Sequence, residues 1–343
     1  MDKTTNNSTI KYINTECSPS HLFNNISVTD KSIMYIHNSE AQPRVIVVDK
    51  KLFYEKSVEN ISYYVTKLNS SETSEMICIK CVNISGNYYV AVGLYGGFKL
   101  WTADGNRLLF QIPAKVKLTD KPYAFTAINE YKSNPKSTGY DSIICGDNYG
   151  QIFLVTGLAQ NWRAKLLDSY DGIITTCVAS GLNTEIICAG YETGEVNLHK
   201  IKNDNLVELV AKLDGELKLP CLTLNVLDCN DKSILAVGYS NGEVKLYNLS
   251  SDNYELLYSV GAHLRLINAS LSYKNYLFTA GDDGFVNVWK VTNDNISLSN
   301  SYELTDKMPV GVALNNNKDG GMDLFISSYD YTTVAVVEEL NLS

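Results

Sequence analysis

The sequence of 343 residues predicts an all-β fold, in which repeated four-stranded units close into a ring as one domain. Three observations lead there. An apolar run ending in a small residue, a tight turn closing on Gly, and an alternating run ending in an aromatic or apolar residue recur together along the chain. The turn positions fall at Gly96, Gly150, Gly194, Gly242, Gly284 and Tyr331, in steps of 54, 44, 48, 42 and 47 residues with a mean of 47. Seven units of that length nearly fill the chain. Long helical periodicity is missing, which disfavours folds built on strand–helix–strand crossovers.

Each element follows from its residues. Residues 1–8 are polar and read as a flexible tail, and Thr9-Ile10-Lys11-Tyr12-Ile13 is a strand with no hairpin partner nearby. SIMYIHNSEAQPRVIVVDKK (32–51) is a degenerate first hairpin. The next units show it clearly in YYVAVGLYGGFKLW, SIICGDNYGQIFLV, EIICAGYETGEVNLH, SILAVGYSNGEVKLY and YLFTAGDDGFVNVW, where β-branched residues alternate around turns such as Asn241-Gly242 and Asp283-Gly284 that tolerate positive φ. Upstream of the hairpins lie further strands (YAFTAINEY, IITTCVAS, CLTLNVLD, INASLSY), and downstream more polar ones (RLLFQIPA, NLVELVAKLD, YELLYSVGA). Four strands per 40–50 residues describe a seven-bladed β-propeller, whose sheets bury both faces against their neighbours. The last unit (PVGVALN, DLFISSYD, TTVAVVEEL) is one strand short, so residues 9–13 are expected to complete it and clasp the ring, giving one domain over 9–340. Residues 57–73, 129–141 and 314–322 read as loops.

Composition narrows the function. Lys plus Arg is 29 against 38 Asp plus Glu, a net charge of −9 that argues against nucleic acid as a partner. No apolar run is long enough to cross a bilayer, and the amino terminus lacks the apolar region of a secretory signal, so the expected setting is cytoplasmic or nuclear, not secreted and not membrane-bound. Eight thinly spread cysteines, most in apolar runs, read as buried thiols.

One unit carries a more specific signature. GAHLRLINASLSYKNYLFTAGDDGFVNVWKV (261–291) resembles a WD repeat: His263 follows a small residue, Asp283 closes the turn, Trp289 ends the third strand and Thr279 stands at the family's Ser/Thr position. The resemblance implies a hydrogen-bonded structural tetrad of His263, Thr279, Asp283 and Trp289. Other units depart from it: Trp101 lacks the His, and the third strands of units four and five end in His199 and Tyr247. Through FNNISV, GYSNGEVKLY, unit six and SSYDYTTVAVV, the chain is similar to the WD repeat-containing protein 54 family. That implies a seven-bladed, WD-type interaction scaffold with no catalytic residue to carry over.

Sites of other kinds are poorly supported. Cys78 and Cys81 have zinc-knuckle spacing but lie in one strand, where residues three apart face opposite ways. Asn315–Gly320 matches the start of an EF-hand loop, but the twelfth position is Ile326. The histidines (His21, His37, His199, His263) join no nucleophile motif, and phosphate-binding glycine loops are missing, so no metal, cofactor or catalytic residue is expected. The candidate surface is the ring of hairpin turns: Tyr95, Asp147, Asn148, Tyr149, Tyr191, Glu192, Tyr239, Asp282, Tyr329 and Asp330, with Arg265 entering the first strand of unit six. Tyrosines among carboxylates suit a basic protein or peptide partner. The alternatives are a propeller hydrolase with a metal or carboxylate site at the channel mouth, and a structural subunit of a larger assembly. The oligomeric state is left open.

Overall fold

Runs of alternating β-branched and aromatic residues, cut by Gly-closed turns, can pair only with their sequence neighbours, and they do so around a ring. The computed structural model describes residues 10–15, 17–39, 42–50, 74–114, 122–133, 141–158, 161–181, 185–203, 206–215, 218–229, 232–250, 253–292, 295–316, 321–340 and 342. The tail 1–8, Thr9 and the loop expected at 57–73 lie outside these. The described strands make seven antiparallel sheets.

Strand β1 (Ile10–Asn14) stands apart from its sequence neighbours. Blade 1 is β2 (Ser27–Val28), β3 (Ser32–His37) and β4 (Arg44–Asp49), three strands among the described residues where four were expected. Blade 2 is β5 (Met76–Ile84), β6 (Asn87–Leu94), β7 (Gly97–Thr102) and β8 (Leu108–Pro113). Blade 3 is β9 (Phe125–Tyr131), β10 (Ser142–Asp147), β11 (Gln151–Leu158) and β12 (Asn161–Ser169). Blade 4 is β13 (Thr175–Ser180), β14 (Ile186–Tyr191), β15 (Val196–Asn203) and β16 (Leu206–Leu213). Blade 5 is β17 (Cys221–Cys229), β18 (Lys232–Tyr239), β19 (Glu243–Asn248) and β20 (Leu256–Gly261). Blade 6 is β21 (Ile267–Tyr273), β22 (Tyr276–Gly281), β23 (Phe285–Val291) and β24 (Ile296–Glu303). Blade 7 is β25 (Pro309–Asn316), β26 (Met322–Ser328) and β27 (Thr333–Val337), completed by β1, which runs antiparallel to β27 from Ile10↔Val337 to Asn14↔Thr333. This is the clasp the short last unit requires, with Ile10–Ile13 in the pairing and Asn14 added to it.

The innermost strands pack in ring order, β2 on β5, β5 on β9, then β13, β17, β21, β25 and back to β2. The core accordingly divides into seven apolar clusters, one at each junction between blades. Phe278 and Val288 of blade 6, for example, meet Leu324 and Ile326 of blade 7. Outer strands such as β8, β12 and β20 are the most exposed, which is why their sequences read as more polar.

Two readings are corrected. Residues 129–131 continue β9, because Asn129, Glu130 and Tyr131 pair with β10, and Asn129 Nδ2 donates to Val178 O of the next blade. Likewise 314–316 belong to β25 and Met322 opens β26. In the turns only Gly takes positive φ, not its Asn or Asp neighbour: Gly242 (φ 87°) donates to Tyr239 O, which is a type I turn followed by a left-handed residue. A Cβ there would overlap the His263 carbonyl oxygen. In blade 7 the left-handed residue is Asp330 (φ 59°), one place before Tyr331, in a turn one residue longer.

Candidate partner-binding face

One backbone contact fixes which loops share an end of the ring. In blades 2 to 7 the first residue of the turn between second and third strands donates its N–H to the residue leading into the first strand: Tyr95 to Glu75, Asn148 to Ala124, Glu192 to Ile174, Ser240 to Pro220, Asp282 to Leu266 and Tyr329 to Met308. The turns and the loops between blades therefore form one face, with these six residues set in a circle; Asn148, a candidate for the surface, is instead buried, its Oδ1 accepting the Ala124 N–H (3.0 Å) and its Nδ2 donating to Pro122 O (2.7 Å).

Blade 6 holds that face most rigidly. The Trp289 indole N–H donates to Thr279 Oγ1 (3.1 Å), Thr279 Oγ1 meets His263 Nε2 (2.8 Å), and His263 Nδ1 meets Asp283 Oδ1 (2.9 Å). The donors run in one direction when the indole gives to the hydroxyl, the hydroxyl to Nε2, and Nδ1–H to the carboxylate. Asp283 Oδ2 also accepts the Leu264 N–H at 2.9 Å. That bond fixes a loop whose Leu264 side chain is 91% exposed beside exposed Arg265.

The register explains where the other turn residues went. Gly281 ends β22 opposite Ile267, and a Cβ on it would come within 2.6 Å of the His263 ring. At the same register position stand Asp147, Tyr191 and Tyr239, opposite Phe125, Thr175 and Cys221. With no imidazole to accommodate, these blades fill the space with a side chain from the strand. Tyr191 is fully buried, its ring edge-on to Tyr170 at 5.0 Å, and burial pushes its hydroxyl above the ordinary tyrosine value. Tyr239 is buried with the Lys245 ammonium 5.9 Å from its ring centroid. Asp147 is buried, its Oδ1 accepting the Tyr149 and Gln151 N–H groups, and Tyr149 stacks on Tyr123 at 5.8 Å. These four are structural as they stand and do not line the surface. Tyr95, Glu192, Arg265, Tyr329 and Asp330 are exposed and Asp282 is half-buried.

Sequence reasoning missed three contributors. Leu264 is one. Phe23, 43% exposed, is another, on the crossing from β1 to β2, where Asn24 N–H donates to Asn268 O and Ser270 N–H to Asn24 Oδ1. His21 is the third, its ring 5.4 Å from Tyr329. None sits in a repeat position, so no periodic signal marks them.

Among the described residues the loops at both ends of the ring carry more carboxylates than cations, and the turn face has the larger excess. Among the described residues, this face's loops carry nine carboxylates (Glu75, Asp171, Glu192, Glu195, Asp214, Asp282, Asp283, Asp306, Asp330) and three cations (Lys218, Arg265, Lys307). The opposite loops carry seven carboxylates (Asp30, Asp104, Asp141, Glu185, Glu255, Glu338, Glu339) and five cations (Lys31, Lys50, Arg107, Lys132, Lys274).

The channel between the inner strands is a cavity of about 600 Å³. Its polar wall is engaged in holding blades together: Thr126 Oγ1 donates to Thr175 O (2.5 Å), Asn129 Nδ2 to Val178 O (3.0 Å) and Ser272 Oγ to Val226 O (2.8 Å). Cys78 and Cys81 point to different blades, Cys78 Sγ toward Phe125 O and Cys81 Sγ toward Met34 Sδ. Part of Asn315–Gly320 lies outside the described residues. Among the described residues no three His, Cys, Asp or Glu side chains are placed to hold a metal ion, and no helix is long and apolar enough to cross a membrane.

No family model matches the chain, and no curated protein does. A chain in a solved structure described as "Crystal Structure of Mitotic Checkpoint Complex" superposes with a TM-score of 0.70 at 12% identity, over 99% of this chain and 98% of that one. That likeness shows the fold, a seven-bladed β-propeller.

Proposed function

We propose that this chain is a non-enzymatic protein-interaction scaffold of the WD-repeat type, similar to the WD repeat-containing protein 54 family, that binds a basic peptide or protein segment on its turn face. The excess of carboxylates over cations among the described residues of the turn face carries this reading. Exposed Tyr95 and Tyr329 add contact area at low entropic cost, and Glu192, Asp282 and Asp330 favour Lys or Arg beside it. Exposed Arg265, in the loop that Asp283 fixes through the Leu264 N–H, adds a cation to the face. The scaffold acts in the cytoplasm or nucleus; all eight cysteines are free thiols, which suits a reducing compartment.

A peptide array spanning net charge from acidic to basic, probed with the purified chain, tests this. Basic peptides are expected to dominate, to weaken as salt rises, and to bind about tenfold less well to a Glu192→Lys, Asp330→Lys variant. Asp104→Lys on the opposite face is expected to leave binding unchanged. A bound set without charge bias, or equal losses from both faces, would overturn the proposal.

A further inference from the structure

The junction of blades 4 and 5 sets two thiols against each other. Cys177 of β13 and Cys221 of β17 are 44 residues apart in sequence, with their sulfurs 3.4 Å apart across the inner strands. A glycine makes room for them: a Cβ on Gly190, which pairs with Cys177, would lie 2.5 Å from Cys221 Sγ and 2.8 Å from Cys177 Sγ. The arrangement recurs elsewhere with other residues. Gly93 lies against Cys78 and the Phe125 carbonyl, and Gly238 against Thr223 and Ile267. Among these junctions only the one at Gly190 brings two sulfurs together. The strands are tied there by Thr176 Oγ1, which donates to Cys221 O. Both are buried, Cys221 fully and Cys177 to 8% exposure, and of the two Cys177 lines the channel. The tetrad, the clasp and the turn face make no use of the pair.

We propose that Cys177 and Cys221 form an oxidation site, which a hydroperoxide entering the channel converts to a disulfide bolting blade 4 to blade 5. In the first step the Cys177 sulfur takes one peroxide oxygen as the O–O bond breaks, leaving a sulfenic acid and, from hydrogen peroxide, water. The Cys221 sulfur then attacks that sulfur, the S–S bond forms, the S–O bond breaks and a second water leaves. The two thiols have lost two electrons and two protons, and the peroxide has accepted them. Burial raises the Cys221 thiol well above its ordinary value, so the first attack falls to the channel-lining partner. Disulfide formation closes the sulfurs from 3.4 Å to a bond of about 2.05 Å.

The test treats the folded chain with hydrogen peroxide, blocks free thiols, and digests with trypsin and Glu-C, which separates Cys177 from Cys188 by cutting after Glu185. A Cys177–Cys221 fragment two hydrogens lighter than the sum of its parts is the expected product. In a Cys221→Ser variant the sulfenic acid at Cys177 persists, so a dimedone adduct is expected to rise several-fold over the wild-type chain. The proposal is overturned if both thiols stay free while half-buried Cys17 is oxidised. It is overturned equally if Cys177 bonds to Cys188, or stops at the sulfenic acid in the wild-type chain. The mapping stands on the wild-type protein alone should the variant fail to fold.

Discussion

Thr279→Val keeps the side chain's shape and removes one oxygen that two buried groups share. The Trp289 N–H loses an acceptor at 3.1 Å and His263 Nε2 loses its partner at 2.8 Å. The His263 side chain is 0% exposed, so water does not replace the hydroxyl. An orphaned buried polar group costs roughly 1–3 kcal/mol, which gives roughly 2–6 kcal/mol for two. Blade 2 argues for the lower half of that range. Its Trp101 N–H has no acceptor among the described residues, with Val92 at the register position of Thr279, and the blade still folds. About 3 kcal/mol is therefore expected. With an unfolding entropy of ~2.1 cal/mol/K per residue, the whole chain carries about 0.7 kcal/mol/K, so the melting midpoint should fall by about 4 °C in scanning calorimetry. Thr279→Ser, which keeps the hydroxyl, should recover most of the loss. A Thr279→Val chain melting within about 1 °C of wild type, or a Ser variant as damaged as the Val one, would refute the reasoning.

The converse change, Val92→Thr, offers Trp101 an acceptor and should stabilise blade 2 by about 1 kcal/mol or leave it unchanged, read from the same melts. Tyr191→Ala should cost about 3–5 kcal/mol by emptying a core site, whereas its exposed neighbour Glu192→Ala, which loses one exposed bond from the Ile174 N–H, should cost about 1 kcal/mol or less. Burial pushes the Cys81 and Cys229 thiols from 9.0 up to about 11 and Cys78 to about 12. The folded state keeps protons there that the unfolded state loses above pH 9, so this contribution is whole below pH 9 and is lost as pH rises to 11 and beyond. The melting midpoint should fall over that window, and less steeply in Cys81→Ala. Oxidation at Cys177 and Cys221 closes a loop of about 45 residues and should raise stability by up to about 4 kcal/mol, lost on adding reductant.

What the sequence disclosed is what depends on local chemistry. The left-handed turn position needs Gly, so Gly150, Gly194, Gly242 and Gly284 mark the hairpins, and the shortfall of one strand after Val337 calls for β1. What stayed hidden depends on partners far along the chain. Tyr191 and Tyr239 precede a turn and read as turn residues, and nothing local tells that a missing imidazole leaves a hole for their rings. Asn129 and Glu130 close the strand-like run YAFTAINEY and also open the stretch read as a loop, and their polarity is spent on neighbouring blades: Asn129 Nδ2 donates to Val178 O and Glu130 Oε1 accepts the Asn83 N–H. The meeting of Cys177 with Cys221 becomes visible only when two repeats lie side by side.

The same economy bears on where recognition can occur. An inner strand pairs on one edge and leaves the other edge's N–H and C=O groups facing the channel, a liability in any open sheet. Here Thr126, Thr176, Asn129, Ser180 and Ser272 each donate to a main-chain carbonyl of an adjoining inner strand. Those groups are committed to holding the ring, and displacing one for a ligand would orphan a buried carbonyl. The turn face differs in kind. Its backbone is satisfied by the repeated turn bond, in blade 4 by Glu192 and in blade 6 by Asp283, while Arg265, Tyr329 and Leu264 project beyond that frame. Side chains there can meet a partner without unmaking the propeller, which is the physical reason to look for binding at the turns and not within the wall.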